Sequence, residues 1–118
     1  KMHVSARLED AEIVARAVLP VLRRLRVAHK VVRDLDRYRR QIATPQRGKF
    51  ITVYTEDASH AQRVLNAINP ELQQLRDFGG IGPGPAPTTR ESGHRETEIP
   101  AGGTGLVWTR WYEEGDQD

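Results

Sequence analysis

Gly48-Lys49-Phe50-Ile51-Thr52-Val53-Tyr54-Thr55 is the stretch from which the fold can be read. Residues 50–54 are β-branched or aromatic without exception, the composition of a pleated, half-buried strand. Alternation puts Lys49, Ile51 and Val53 on one face and Phe50, Thr52 and Tyr54 on the other. A lysine thus leads a core strand. Alone it is an ordinary solvated strand end, and only its neighbours can make it more.

Working outward, residues 1–5 read as a short strand with Met2 and Val4 on one face and Lys1, His3 and Ser5 on the other. Residues 8–26 predict a helix, because Ala11, Val14, Ala15, Val18, Leu22 and Leu25 recur at spacings of three and four. Its acidic start and arginine-rich end suit the helix dipole, and Pro20 is expected to kink or split it. Residues 27–33 predict a second strand, 34–41 a short helical turn and 42–48 a loop. A further helix starts at Thr55 or Asp57 as N-cap, buries Ala61, Val64, Leu65 and Ile68, and ends or breaks at Asn69-Pro70. Residues 71–78 then form one more helical stretch. From residue 79 the chain turns rich in Gly, Pro and Thr, a flexible loop over about 79–105. The last strand follows over 106–112, then an acidic tail over 113–118.

The expectation is an α+β fold: a small, mostly antiparallel sheet of about four strands, two main helices on one face, and a long Gly/Pro-rich loop before the last strand. In a ferredoxin-like topology, the first and third strands are antiparallel neighbours. The start of the third then lies beside the end of the first.

The 118 residues suit one domain, 1–118, with a single core. A hydrophobic fraction of 37% and a mean hydropathy of −0.63 predict a thin core beside a large polar portion. The chain has no cysteine, which excludes disulfides, thiol nucleophiles and cysteine zinc sites. No apolar run reaches the roughly 20 residues of a membrane helix and no signal-peptide pattern is present. The expected location is the cytoplasm, with no membrane partner. Net charge is only +2, but residues 23–49 hold ten Arg or Lys against Asp34 and Asp36. A basic middle predicts an anionic partner (nucleic acid, phosphate, or an acidic or phosphorylated peptide) against the plainer reading of a solvated helix face.

The ferredoxin-like register brings Lys49 near His3. Either residue alone is bland, but together they can divide general acid and base work. A lysine is a base only when neutral, a state favoured by burial or by neighbouring cations, of which Arg47 is one. Arg110 lies between Trp108 and Trp111. Its plain reading is a cation–π contact with Trp108; on the His3 face it becomes a fork for phosphate. The four histidines show no metal-ligand spacing, so no metal is expected. Residues 79–84 lack the Gly-Lys-Ser/Thr ending of a P-loop. The strands lack the paired exposed aromatics of RNA-binding sheets.

Two motifs carry a family resemblance. Lys1-Met2-His3-Val4-Ser5, before an acidic-headed helix, resembles the Lys-x-His-x-Ser opening of phosphoserine/phosphothreonine lyase domains. Gly48-Lys49-Phe50-Ile51-Thr52-Val53-Tyr54 resembles the Gly-Lys-Phe-Ile-Thr-Val-Tyr strand of the same domains. These stand at the N-terminus of class III and IV lanthionine synthetases and, in more distant form, as type III secretion effectors. The likeness covers residues 1 to about 75, and residues 108–111 resemble the family's Tyr-x-Arg-Tyr strand. Where the family carries a Ser-Asp-x-Arg block, this chain has Thr88-Thr89-Arg90, with Arg95 as a rival for the arginine.

The resemblance implies a cofactor-independent enzyme, a carbon–oxygen lyase that eliminates phosphate from phosphoserine or phosphothreonine in a precursor peptide. Lys49 is then the base and His3 the acid, while Lys1, Arg47, Arg110 and Arg90 hold the phosphate. The product is dehydroalanine or dehydrobutyrine, as in lanthipeptide-type biosynthesis of ribosomally made peptides. The expected partners are a phosphorylated peptide and a separate kinase and cyclase. A non-catalytic module of the same fold that binds a peptide or partner enzyme is the alternative. A basic nucleic-acid-binding domain is the weaker one.

Overall fold

Met2–Val4 is the first strand, β1, and although three residues long it occupies the centre of the sheet. A computed structural model describes residues 1–87 and 96–112. In it β1 lies between β3 (Ile51–Tyr54) and β5 (Val107–Tyr112), with β2 (Ala28–Val31) and β4 (Glu96–Ala101) outside them. The order is β2-β3-β1-β5-β4 and every neighbouring pair is antiparallel. Helices α1 (Ala11–Arg24), α2 (Leu35–Gln41) and α3 (Ala58–Phe78) complete the chain.

Alternation along the strands decides which face is dry. Met2, Val4, Ile51, Val53 and Val107 are buried with Val14, Val18 and Leu22 of α1 and Val64, Ile68 and Leu72 of α3. Each such side chain contributes about 1.5–3 kcal/mol on leaving water, so these two apolar stripes fix α1 and α3 on one face. Lys30, Thr52, His3 and Trp108 stand opposite one another in a single row across four strands. The expected α+β class and the antiparallel β1–β3 neighbours are both present. Val4 lies opposite Ile51, so the start of β3 meets the end of β1.

The sheet has five strands rather than about four. The added one, β4, lies inside the stretch read as a continuous loop and pairs with β5 through glycine turns at positive φ. Its Pro100 is tolerated because β4 is an edge strand, where a missing N–H need not break a ladder. Proline breaks neither main helix. α1 runs through Pro20 and α3 through Pro70, and the stretch expected to follow α3 is its own second half. Both prolines are exposed, as are residues 16 and 66, whose carbonyls lose their donors. Water can replace those bonds while Ile68 and Leu72 hold α3 on either side of the proline.

The first helix is shorter than expected. It opens with a 3₁₀ turn at Leu8–Asp10 and stops at Arg24, and Arg26 at φ 55 turns the chain toward β2. Leu25, placed in the apolar stripe by spacing, therefore falls beyond the helix and is exposed. Asp57, not Thr55, caps α3, its carboxylate accepting from the His60 amide at 2.7 Å.

Residues 79–87 form no regular element but are tied down. Ile81 is buried, the Gly84 amide donates to the Gly105 carbonyl at 3.0 Å, and the Ser5 hydroxyl donates to the Pro85 carbonyl at 2.6 Å. No helix among the described residues is long and apolar enough to cross a membrane.

Candidate functional site

Lys49 does not belong to β3. A turn closes ahead of it, with the Lys49 amide donating to the Gln46 carbonyl at 3.1 Å, and Gly48 takes φ 74. This frees Lys49 from the alternation that would have sent it to the core face with Ile51 and Val53. Instead it lines a basin of about 570 Å³ together with Phe50 and Thr52. Only 5% of Lys49 is exposed. Lys30 and Arg33 reach the basin from β2 and its continuation, and Arg37 from α2. Four cations thus face one concavity, and no carboxylate is among the described residues lining it. Cations gathered around one concavity make a receptor for a multiply charged anion.

Thr52 links this basin to β1, since it lines the basin and stands opposite His3. His3 is buried, and its Nδ1 lies 3.0 Å from Oε1 of Glu98 on β4. With Nδ1–H donated to the carboxylate, the ring is oriented and Nε2 becomes the nitrogen through which a proton can be exchanged. Lys1, exposed, has its Nζ 5.7 Å from the centre of the Tyr54 ring, a cation–π contact across the β1–β3 pair.

Arg47 is exposed in the loop before Gly48 and does not line the basin. Arg110 stands on β5 opposite Glu98 in the register. Arg90 and Arg95 lie outside the described residues. Among the described residues no group of three or more His, Asp or Glu could hold a metal ion.

Two features escaped the sequence reading. Lys30, Arg33 and Arg37 counted only as part of a basic middle, because their convergence depends on α2 folding back between β2 and β3. Glu98 was hidden in a supposed loop, although Glu96-Thr97-Glu98-Ile99 has the two-residue alternation of a strand.

The family model described as RamC, N-terminal domain, matches residues 1–79. It takes in β1, Gly48-Lys49 and the whole of α3, though not β4 and β5. This corrects the resemblance drawn from the two motifs: the matching family is not that of the phosphoserine/phosphothreonine lyases. The match ties the chain to lanthipeptide-type peptide biosynthesis and says nothing of phosphate elimination. Neither the curated proteins nor the solved structures gave a match.

Proposed function

We propose a function for a chain that belongs to the RamC N-terminal domain family: elimination of phosphate from phosphoserine or phosphothreonine in a precursor peptide. One observation carries the reading. Lys49 is buried in a basin with three further cations, Lys30, Arg33 and Arg37, and no carboxylate among the described residues lining it.

In the proposed reaction the Lys49 amine takes the Cα proton. The Cα–H electron pair becomes the Cα=Cβ bond, the Cβ–O bond breaks, and phosphate leaves with its electrons. His3 gives a proton to the leaving oxygen, with Glu98 orienting its ring. Phosphate leaves readily only when preorganised donors meet the charge developing on it, a task that suits Lys30, Arg33 and Arg37. A lysine serves as base only in its neutral form, which burial and surrounding cations favour. The products are inorganic phosphate and a dehydroalanyl or dehydrobutyryl peptide. The steps balance without a cofactor. On this reading the protein is a cytoplasmic lyase whose substrate comes from a separate kinase and whose product passes to a cyclase.

The test is the intact mass of a phosphoseryl peptide after incubation with the protein. The expected result is loss of the elements of phosphoric acid, abolished by Lys49→Ala and by His3→Ala. Normal turnover by both variants overturns the assignment. One observation favours a second reading, a non-catalytic phosphopeptide-binding module: His3 is only 1% exposed and does not line the basin. Phosphopeptide binding with no elimination marks that outcome.

A further inference from the structure

β2 is a wall of the basin and, at the same time, an edge of the sheet. Lys30 and Val31 line the basin, and among the described residues no strand pairs with the outer side of β2. The register fixes which backbone groups face outward. The Val32 amide donates to the Phe50 carbonyl at 2.9 Å. Antiparallel partners alternate between hydrogen-bonded and non-hydrogen-bonded pairs. Lys30–Thr52 and Ala28–Tyr54, in step with Val32–Phe50, therefore turn their N–H and C=O groups inward. His29 and Val31, opposite Val53 and Ile51, turn theirs away from β3. The His29 ring contacts the Val27 carbonyl at 2.9 Å and leaves the outward groups of His29 and Val31 unengaged by it.

We propose that an extended phosphorylated peptide adds to the outer edge of β2 as a further strand, with its phosphoryl residue turned into the basin. The proposal rests on the phosphopeptide reading above and gives it a docking mode. Main-chain hydrogen bonds to His29 and Val31 supply register and affinity, and alternate side chains of the peptide reach the basin face. Charge complementarity selects this occupant, because the residues flanking that edge and facing the basin are Lys30, Arg33, Arg37 and Lys49. The geometry also sets a sequence rule for the peptide: acidic residues help at positions two away from the phosphoresidue and not at adjacent ones. A lysine on an edge strand also guards against uncontrolled pairing, a role that requires neither main-chain docking nor this period.

Val31→Pro is the discriminating variant. Its N–H faces outward, so proline removes a docking donor while leaving the β2–β3 ladder intact; Val31→Ala controls for the side chain. The binding of a short synthetic phosphoseryl peptide to the full chain is followed by fluorescence anisotropy. Val31→Pro is expected to weaken it about fivefold or more, the worth of one or more lost hydrogen bonds. Val31→Ala is expected to leave it nearly unchanged. N-methylation of successive peptide nitrogens is expected to weaken binding to the unaltered protein at every second position. Unchanged binding by a folded Val31→Pro, an N-methyl scan without that period, or no affinity for the phosphopeptide overturns the proposal. If Val31→Pro loses its circular dichroism, the N-methyl scan decides alone. Sedimentation showing a dimer that Val31→Pro splits would make a second copy the occupant and also overturn it. Period-two binding without elimination removes the lyase reading and keeps the docking mode. Elimination without period-two binding does the reverse.

Discussion

The His3 imidazole and the Glu98 carboxylate meet across β5 at 3.0 Å, with side chains 2% and 4% exposed. The contact joins β1 to a strand formed 95 positions later. Because the acceptor is a buried carboxylate, it fixes both the tautomer and the angle of the ring. Glu98→Gln keeps the shape and a hydrogen bond while removing the charge. The expected outcome is an unchanged fold by circular dichroism, phosphate release slowed about tenfold or more, and an altered pH–rate profile. An unchanged rate and profile would show that Glu98 does not position His3 for catalysis.

Tyr38 on α2 closes a second buried contact with the strand end. Its hydroxyl donates to the Ala6 carbonyl at 2.6 Å and accepts from the Ala6 amide at 3.2 Å, and its ring centre is 4.9 Å from that of Phe50. Burial pushes the phenol above its usual value, partly offset by its bonds to Ala6 and Ser5. A raised value means that the folded state holds the proton more tightly than the unfolded chain does. This contribution to stability is complete below about pH 10 and is lost as pH rises through the folded value. Tyr38→Phe is expected to cost about 1–2 kcal/mol at neutral pH and to flatten the alkaline limb of the stability curve. Urea melts across the alkaline range check both.

Asp10 anchors the Gly/Pro segment to the start of α1. One carboxylate oxygen accepts from Arg7 Nε at 2.7 Å and from the Gly82 amide at 3.1 Å. Burial pushes its carboxyl up, but the Arg7 hydrogen bond, the Gly82 amide and the Arg7 charge outweigh it and hold the carboxyl below its usual value. The unfolded chain therefore binds the proton more readily. The stability due to Asp10 is present above about pH 3.9 and fades as pH falls through the depressed folded value. Asp10→Asn is expected to lower stability at neutral pH, with the two proteins converging in acid. Thermal melts from neutral to acid pH test the convergence; a constant difference contradicts it.

Local composition made much of the fold readable. Phe50 to Tyr54 could be little but a strand, and the spacings of Val14, Val18 and Leu22 and of Ala61, Val64 and Ile68 fixed two helical faces. Pro70 misled because a proline on a solvent-facing helix side loses one bond and bends the helix without ending it. Pro100 hid β4 because the only strands that tolerate proline are edge strands, and nothing local announces an edge. Lys49 and His3 stood out in the sequence, but what surrounds them did not. Glu98 reaches His3 through β4, and Arg37 reaches Lys49's basin through α2. Both approaches depend on tertiary placement, which spacing along the chain does not encode.

Gly48 shows how narrowly the position of Lys49 is set. Its φ of 74 lies in the left-handed region, where any other residue is strained by about 1–2 kcal/mol. A Cβ at Gly48 would stand 2.5 Å from the Pro85 carbonyl oxygen and 2.9 Å from the Pro87 nitrogen, both backbone atoms. Neither can swing aside as a side chain could, so the Gly/Pro segment or the turn before Lys49 must move. The same segment receives the Ser5 hydroxyl at Pro85, which couples such a shift to β1. Gly48→Ala is expected to lower stability by about 2 kcal/mol or more and to displace Lys49, reducing both phosphopeptide binding and turnover. Denaturant melts give the first effect and anisotropy the second. If the variant is destabilised but binds and turns over normally once folded, the turn sets stability alone and the position of Lys49 is held by the basin itself.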